Sequence, residues 1–194
     1  MKLYVFDLGG VCVFNFQTIG KIARMYNLDE KFLLNDYLQH DMQLMDGSIT
    51  TKEWWLHIAE QCNVDKNADP VADLFTPCVN EPVLKIIKEM KVQGKRVVCG
   101  SNTCDPHWNK MNACGQFSDL FDACYLSQQI HAAKPHAAFF EYILKAENVA
   151  AQDALFIDDT EANVAAAKKC GMHGLHFHDE FAWAAVDKLR SIVL

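Results

Sequence analysis

Four short stretches carry side chains that can do chemistry together. "FDLGG" at residues 6–10 places Asp7 directly after an apolar run, and "SNT" at 101–103 places a hydroxyl and an amide after another. "IDDTEAN" at 157–163 brings the pair Asp158 and Asp159, and "KP" at 134–135 sets Lys134 just before a helix start. Carboxylates gathered at one place repel one another. A hard divalent cation with oxygen ligands relieves that repulsion, and magnesium (Mg2+) is the natural occupant. A phosphate held on such a metal leaves one carboxylate free to attack phosphorus. A lysine and a hydroxyl can then meet the charge that builds in the transition state. Each stretch alone also has an ordinary explanation, since a carboxylate after a strand commonly makes a turn or caps a helix. The chemistry depends on whether the fold brings the four together.

The elements that must position them are legible as hydrophobic periodicity. Runs at 2–7 (KLYVFD), 96–101 (RVVCGS), 123–126 (ACYL), 154–158 (ALFID) and 172–177 (MHGLHF) read as strands. Helical patterns fill 81–94, the stretch from Pro135 and 160–171, and the last helix is expected over about 180–192. Pro82 suits a first turn and Gly94 an end. Strands alternating with helices predict a Rossmann-like α/β core, a mostly parallel sheet covered on both faces. Ligands of such sheets bind beyond the carboxyl ends of the strands, at the switch in strand order. Asp7, Ser101, Asn102, Lys134, Asp158 and Asp159 are all expected on that edge. Residues 17–78 break the rhythm with helical patterns only. They predict a helical cap inserted after strand one, leaving 1–16 and 79–194 as the core. Thr50 or Thr51 is expected to cap a cap helix. Trp54 and Trp55, adjacent on that helix, are expected to divide, one in the cap's core and one toward the cleft or a partner.

Composition narrows the function classes. The 194 residues are 51% hydrophobic, enough for one core of ordinary size with an insert. The net charge is −7 and no Lys/Arg run exists, which argues against nucleic acid as a partner. No apolar stretch of about 18 residues is present, which argues against a membrane span. The N-terminus leads almost at once into a strand without signal-peptide features, so a cytoplasmic protein is expected, as a monomer or weak homodimer on a small-molecule substrate. The eight cysteines are irregularly spaced and read as reduced thiols, a zinc site being the alternative. His176, His178 and Asp179 in "HFHDE" form a weaker metal candidate. The Gly9–Gly10 pair lacks the G-x-G-x-x-G spacing of a dinucleotide loop.

The four motifs, in this order, resemble the haloacid dehalogenase-like hydrolase superfamily over nearly the whole chain. Within it, "FDLGG", "SNT", "YLSQQ" and "KP" look most like the small sugar-phosphate phosphatases, the group of the bacterial α-D-glucose-1-phosphate phosphatase. The resemblance implies a magnesium-dependent phosphatase acting on a small phosphomonoester, such as a hexose 1-phosphate. Asp7 would be the nucleophile that forms an aspartyl-phosphate. Ser101 and Asn102 would bind the phosphoryl group, and Lys134 would pair with Asp7. Magnesium would be held by Asp7, the Gly9 carbonyl and Asp159, with Asp158 as a second acidic partner. Gly9, Gly10, Asn15, Thr103 and His107 are expected to line the substrate site, with Phe14 and Phe16 beside the cap junction and Trp108 as the alternative to His107.

Gly9 departs from the family pattern. Its position usually holds a second aspartate that protonates the leaving group, and losing an acid/base group typically costs 10²–10⁴-fold. A sugar 1-phosphate has an acidic hemiacetal leaving group and tolerates the loss better. His40, His57 and Asp41 from the cap, or a water, are the candidate replacements. Asn163 stands where many members have an aspartate, which would weaken the metal site. The competing readings are a phosphate-binding protein with little or no turnover and, from a different chemistry, a metal-independent haloacid dehalogenase.

Overall fold

The structure, a computed structural model, describes residues 1–178 and 182–194. Five parallel strands form the sheet: β1 (Leu3–Phe6), β4 (Arg96–Ser101), β5 (Cys124–Leu126), β6 (Ala154–Asp158) and β7 (His173–His176). Their spatial order is β5-β4-β1-β6-β7. The switch in strand order therefore falls at β1, which pairs with β4 on one side and β6 on the other. The sheet is buried on both faces, so β1 is apolar throughout. Leu3 and Val5 pack toward α9 (Ala137–Glu147) and α10 (Glu161–Lys169). Tyr4 and Phe6 pack toward α5 (Glu81–Val92) and α11 (Ala182–Val193). The first part of the expected last helix, with Asp179, lies in residues 179–181, outside the described residues.

Between β1 and α5 the chain runs out and back. β2 (Val13–Phe14) pairs antiparallel with β3 (Cys78–Val79), a two-stranded ribbon too short to show a period in the sequence. Buried Asn80 secures it, donating its side-chain amide to the Val11 carbonyl (2.8 Å). From this ribbon extend α1 (Ile19–Tyr26), α2 (Glu30–Asp46), α3 (Thr51–Cys62) and α4 (Pro70–Asp73), the helical cap. Thr50 is the N-cap of α3 and forms a reciprocal capping box with Glu53. Among the described residues, the cap meets the core at two places in particular. His131 Nδ1 lies 3.0 Å from the Asp46 carbonyl. At the other, α6 (Asp105–Gly115) packs against α4.

Trp54 and Trp55 do not divide. Both are buried in the cap's own core, with Ile22, Leu33, Leu44 and Ile58. Their indole nitrogens are both satisfied inside the cap, Trp54 by the Asp36 carboxylate (2.9 Å) and Trp55 by the Asp65 carbonyl (3.0 Å). The reason is geometric: α3 is covered on two sides, with Tyr37 on Trp54 and Tyr26 on Trp55. Adjacent residues pointing apart can then both be buried. Trp54→Ala is expected to cost about 3–5 kcal/mol, read from urea unfolding. A cleft-facing tryptophan would show a far smaller loss.

Candidate active site

Strand register builds the site. Phe6 pairs with Ile157, and the Asp7 amide donates to the Ile157 carbonyl (2.9 Å), so Asp7 leaves the sheet level with Asp158. Lys134 enters from the loop after β5 and donates to both, at 2.8 Å to Asp7 Oδ1 and 2.7 Å to Asp158 Oδ2. All three are buried. Asp7, Asp158 and Asp159 each offer an oxygen within 4.8 Å of the others. One ammonium among three carboxylates leaves excess negative charge. Burial, and then the neighbouring carboxylates against the pull of Lys134, push the Asp7 carboxyl up to about 7. Burial and Asp158 raise Asp159 in the same direction. Burial works to lower the Lys134 pKa, but Asp7 and Asp158 overcome it and hold the ammonium above the ordinary lysine range.

The three carboxylates are not equivalent. Asp158 is saturated: it accepts from Lys134, from the Thr160 amide (2.8 Å) and from the Asn163 amide nitrogen (3.1 and 3.2 Å). Asn163 thus donates to Asp158, where an aspartate would add a further negative charge. Asp7 keeps Oδ2 without a partner among the described residues. Asp159 is half-buried and, among the described residues, has only a long side-chain contact from the Thr160 hydroxyl (3.4 Å). No described residue donates to the Gly9 carbonyl. Asp7 Oδ2, Asp159 and the Gly9 carbonyl are therefore the free oxygens, and Asp158 orients Lys134. This donor set, hard oxygens with unbalanced negative charge, fits a magnesium ion.

The two glycines differ in kind. A Cβ on Gly10 would fall 2.0 Å from Asp159 Oδ2, and its φ is +73°, so a side chain there would displace Asp159. Gly10 is a packing requirement of the acidic cluster. Gly9 has room: a Cβ would meet only the Phe16 ring, at 3.8 Å.

The remaining expected residues fall into place as follows. Ser101 is buried at the end of β4, and its hydroxyl has only a 3.5 Å contact to the Asn102 carbonyl. The Asn102 side chain clamps the main chain of Lys134, donating to its carbonyl and accepting from its amide, each at 2.9 Å. The Thr103 amide donates to the Ser127 hydroxyl (3.0 Å). Ser127, in the "YLSQQ" stretch, thereby ties the β4 and β5 exits together, a role its sequence position did not announce. A cavity of about 710 Å³ opens above the site, lined by Gly9, Asn15, Phe16, Ser101, Asn102, Thr103 and His107 among others. His107, not Trp108, lines it. The His107 ring stacks on Phe75 (3.8 Å between centroids) and reaches the Val71 carbonyl (3.1 Å), joining α6 to the cap. Burial lowers its pKa to about 4, so it is neutral at physiological pH. Phe14 is exposed and does not line the cavity. Neither do His40, His57 and Asp41. Both histidines turn to Asp36 instead, at 3.1 and 3.0 Å. His176 contacts the Asp159 carbonyl (2.8 Å).

A parallel α/β sheet with an acidic cluster at its switch point, under a helical cap, defines a hydrolase class. The chain belongs to the haloacid dehalogenase-like hydrolase family, whose model matches residues 1–171. It is 34% identical over 108 residues to a sesquiterpene phosphatase of Aspergillus oryzae, covering 56% of this chain and 54% of that protein. It is 32% identical over 95 residues to a drimenol cyclase of Aspergillus calidoustus, 49% of this chain and 18% of that protein. The chain thus spans about half of the first of these relatives and less of the second. It is 24% identical over 185 residues to a D-ribitol-5-phosphate phosphatase of Bacteroides thetaiotaomicron, covering 88% and 89%. A haloacid dehalogenase family enzyme of that organism, solved with magnesium and inorganic phosphate, superposes with a TM-score of 0.74 at 25% identity over 95% of this chain and 98% of that one. A family hydrolase of Porphyromonas gingivalis gives 0.80 at 22% identity, over 97% of each chain. Fold and acidic cluster together are those of a haloacid dehalogenase-like hydrolase.

Metal and proton compete for Asp7. Burial raises the Asp7 pKa, so its carboxyl holds a proton to higher pH than an ordinary carboxylate, and binding a cation there releases that proton. Magnesium is expected to raise the melting temperature, with apparent affinity about tenfold weaker at pH 6 than at pH 8. Gly10→Ala should abolish that magnesium-dependent rise, measured by thermal shift with the metal alone.

Proposed function

We propose that the protein is a magnesium-dependent phosphatase that hydrolyses a small phosphomonoester through an aspartyl-phosphate on Asp7. The observation that carries this reading is the bridging of Asp7 and Asp158 by Lys134, with Asp159 beside them, at the strand ends next to Gly9 and Ser101, which line the cavity. Asp7, Asp159 and the Gly9 carbonyl would hold the magnesium. When bound, the ion would neutralise the carboxylates and draw charge from the phosphoryl oxygens. Lys134 orients the Asp7 carboxylate through Oδ1, and one carboxylate oxygen of Asp7 attacks phosphorus as the ester P–O bond breaks while the other would face the ion. Ser101 and the Asn102 main-chain amide receive the phosphoryl oxygens. Asn102 and Ser127 act as positioning residues, holding Lys134 and the Thr103 amide. With no acid side chain at Gly9, the departing oxygen takes its proton from water. A second water then attacks phosphorus, the Asp7–phosphorus bond breaks, and inorganic phosphate leaves.

The leaving group is the finer question. A hexose 1-phosphate is supported by Gly9, because a hemiacetal oxygen departs with little protonation, and a polyol phosphate by the ribitol-phosphate relative. The sesquiterpene phosphatase relative supports an apolar alcohol instead. The reading as a binding protein without turnover has the missing side chain at Gly9 in its favour; a metal-independent dehalogenase has no use for the free acidic oxygens at Asp159.

Phosphate release from a broad ester panel is expected to require magnesium, to stop with EDTA and to vanish in Asp7→Asn. Folded, magnesium-binding protein that turns over no ester would overturn the phosphatase reading. Because the space beside Gly9 is open, Gly9→Asp is expected to raise kcat on esters of ordinary alcohols by about 10²-fold. Its effect on p-nitrophenyl phosphate, whose leaving group needs no acid, should be much smaller.

A further inference from the structure

We propose that this site takes the monophosphate ester of a hydrophobic alcohol. The proposal rests on the phosphatase reading above and names its leaving group. The cavity's volume, about 710 Å³, is that of a small-molecule site. It reaches the catalytic edge, since Gly9, Ser101 and Asn102 line its floor. Much of the rest of its lining is carbon, from Phe16, Ile19, Leu34, Leu38, Met45 and Phe75, with Gln17, Arg24 and Glu30 among the polar residues that share it. Leu34 and Leu38 stand one turn apart on α2 and are 43% and 59% exposed. Their exposed apolar surface thus lies along the cleft, where a ligand can cover it.

Three of the polar side chains that could read sugar hydroxyls are already engaged. The Asn15 amide donates to the Thr76 carbonyl (2.7 Å) and hydroxyl (3.0 Å). The Lys21 ammonium donates to the Leu74 carbonyl (3.3 Å) and the same hydroxyl (3.0 Å). His107 is held by Val71 and stacked on Phe75. Gln17, Arg24 and Glu30 also line the cavity and are solvent-exposed. A polyol entering this space would give up hydrogen bonds to water and find few in return, whereas an alkyl group would lose none. The apolar wall also runs down to the catalytic loop. Where the usual second aspartate would stand, the Gly9 position faces the Phe16 ring. The net reaction balances as ROPO3²⁻ + H2O → ROH + HPO4²⁻, with R apolar.

The test is a series of straight-chain alkyl monophosphates from two to ten carbons. Leaving-group basicity stays nearly constant along it, so chain length reports the wall alone. With magnesium, kcat/KM is expected to rise about two- to fourfold per methylene until the cavity fills. The longer members should exceed a hexose 6-phosphate, whose leaving group is also a primary alcohol. Leu38→Gln, a change at an exposed position, should lower kcat/KM for the octyl ester fivefold or more and for the ethyl ester by less. A flat series with hexose phosphates turned over better would overturn the inference and leave the phosphatase reading standing. No magnesium-dependent release from any ester, p-nitrophenyl phosphate included, would overturn that reading and this inference with it.

Discussion

The site depends on one unbalanced charge. Three carboxylates meet at the carboxyl ends of β1 and β6, and the described residues supply a single buried ammonium to face them. Burying charge without a partner is costly, and removing one member of such a group leaves its partners exposed to that cost. Lys134 offsets part of it by bridging two of the three. The rest of the neighbourhood is arranged around that bridge. Asn102 clamps the lysine's main chain, Thr160 and Asn163 donate to Asp158, and Gly10 makes room for Asp159. What remains unneutralised, at Asp7 and Asp159, is the electrostatic reason a divalent cation has a place there.

The same arrangement assigns different work to residues that look alike in sequence. Asp158 and Asp159 are neighbours, yet one is saturated by hydrogen bonds and the other lays its carboxylate close against Gly10 with only a long contact from Thr160 among the described residues. Gly9 and Gly10 are neighbours as well. One has space for a side chain and the other does not. The aspartates leave the end of β6, where successive residues face opposite ways, and the glycines lie in the turn after β1, where Gly10 takes a positive φ against Asp159. The cap adds a second asymmetry. Its core is closed around two tryptophans, while the face of α2 carrying Leu34 and Leu38 stays uncovered above the catalytic edge. The chemistry at the floor is polar and charged, and the wall above it is largely carbon.

Much of this was legible in the sequence. The five strands, the helical cap between the first and second of them, and the meeting of Asp7, Ser101, Lys134 and Asp158–Asp159 on one edge follow from hydrophobic periodicity and the habits of parallel sheets. The ribbon of β2 and β3 was not legible, because two residues per strand carry no period. The burial of both Trp54 and Trp55 was not legible either. Single-helix geometry says only that they diverge, and the covering by Tyr26 and Tyr37 comes from other helices. His40 and His57 looked like acid/base candidates by residue type alone; their rings turn to Asp36, a partner set by how α2 and α3 pack.

By itself, then, the sequence determined the class of chemistry and the scaffold that carries it. Residue type and spacing along the chain are local properties, and strand ends in a parallel sheet converge for topological reasons. The tertiary structure decided which carboxylate oxygens remain free, why Gly10 cannot carry a side chain, that Asn102 serves Lys134, and that carbon lines the space above Asp7. Each of these turns on hydrogen-bond partners and contacts between residues tens of positions apart. Such pairings are settled by packing, and no period or motif within one segment records them.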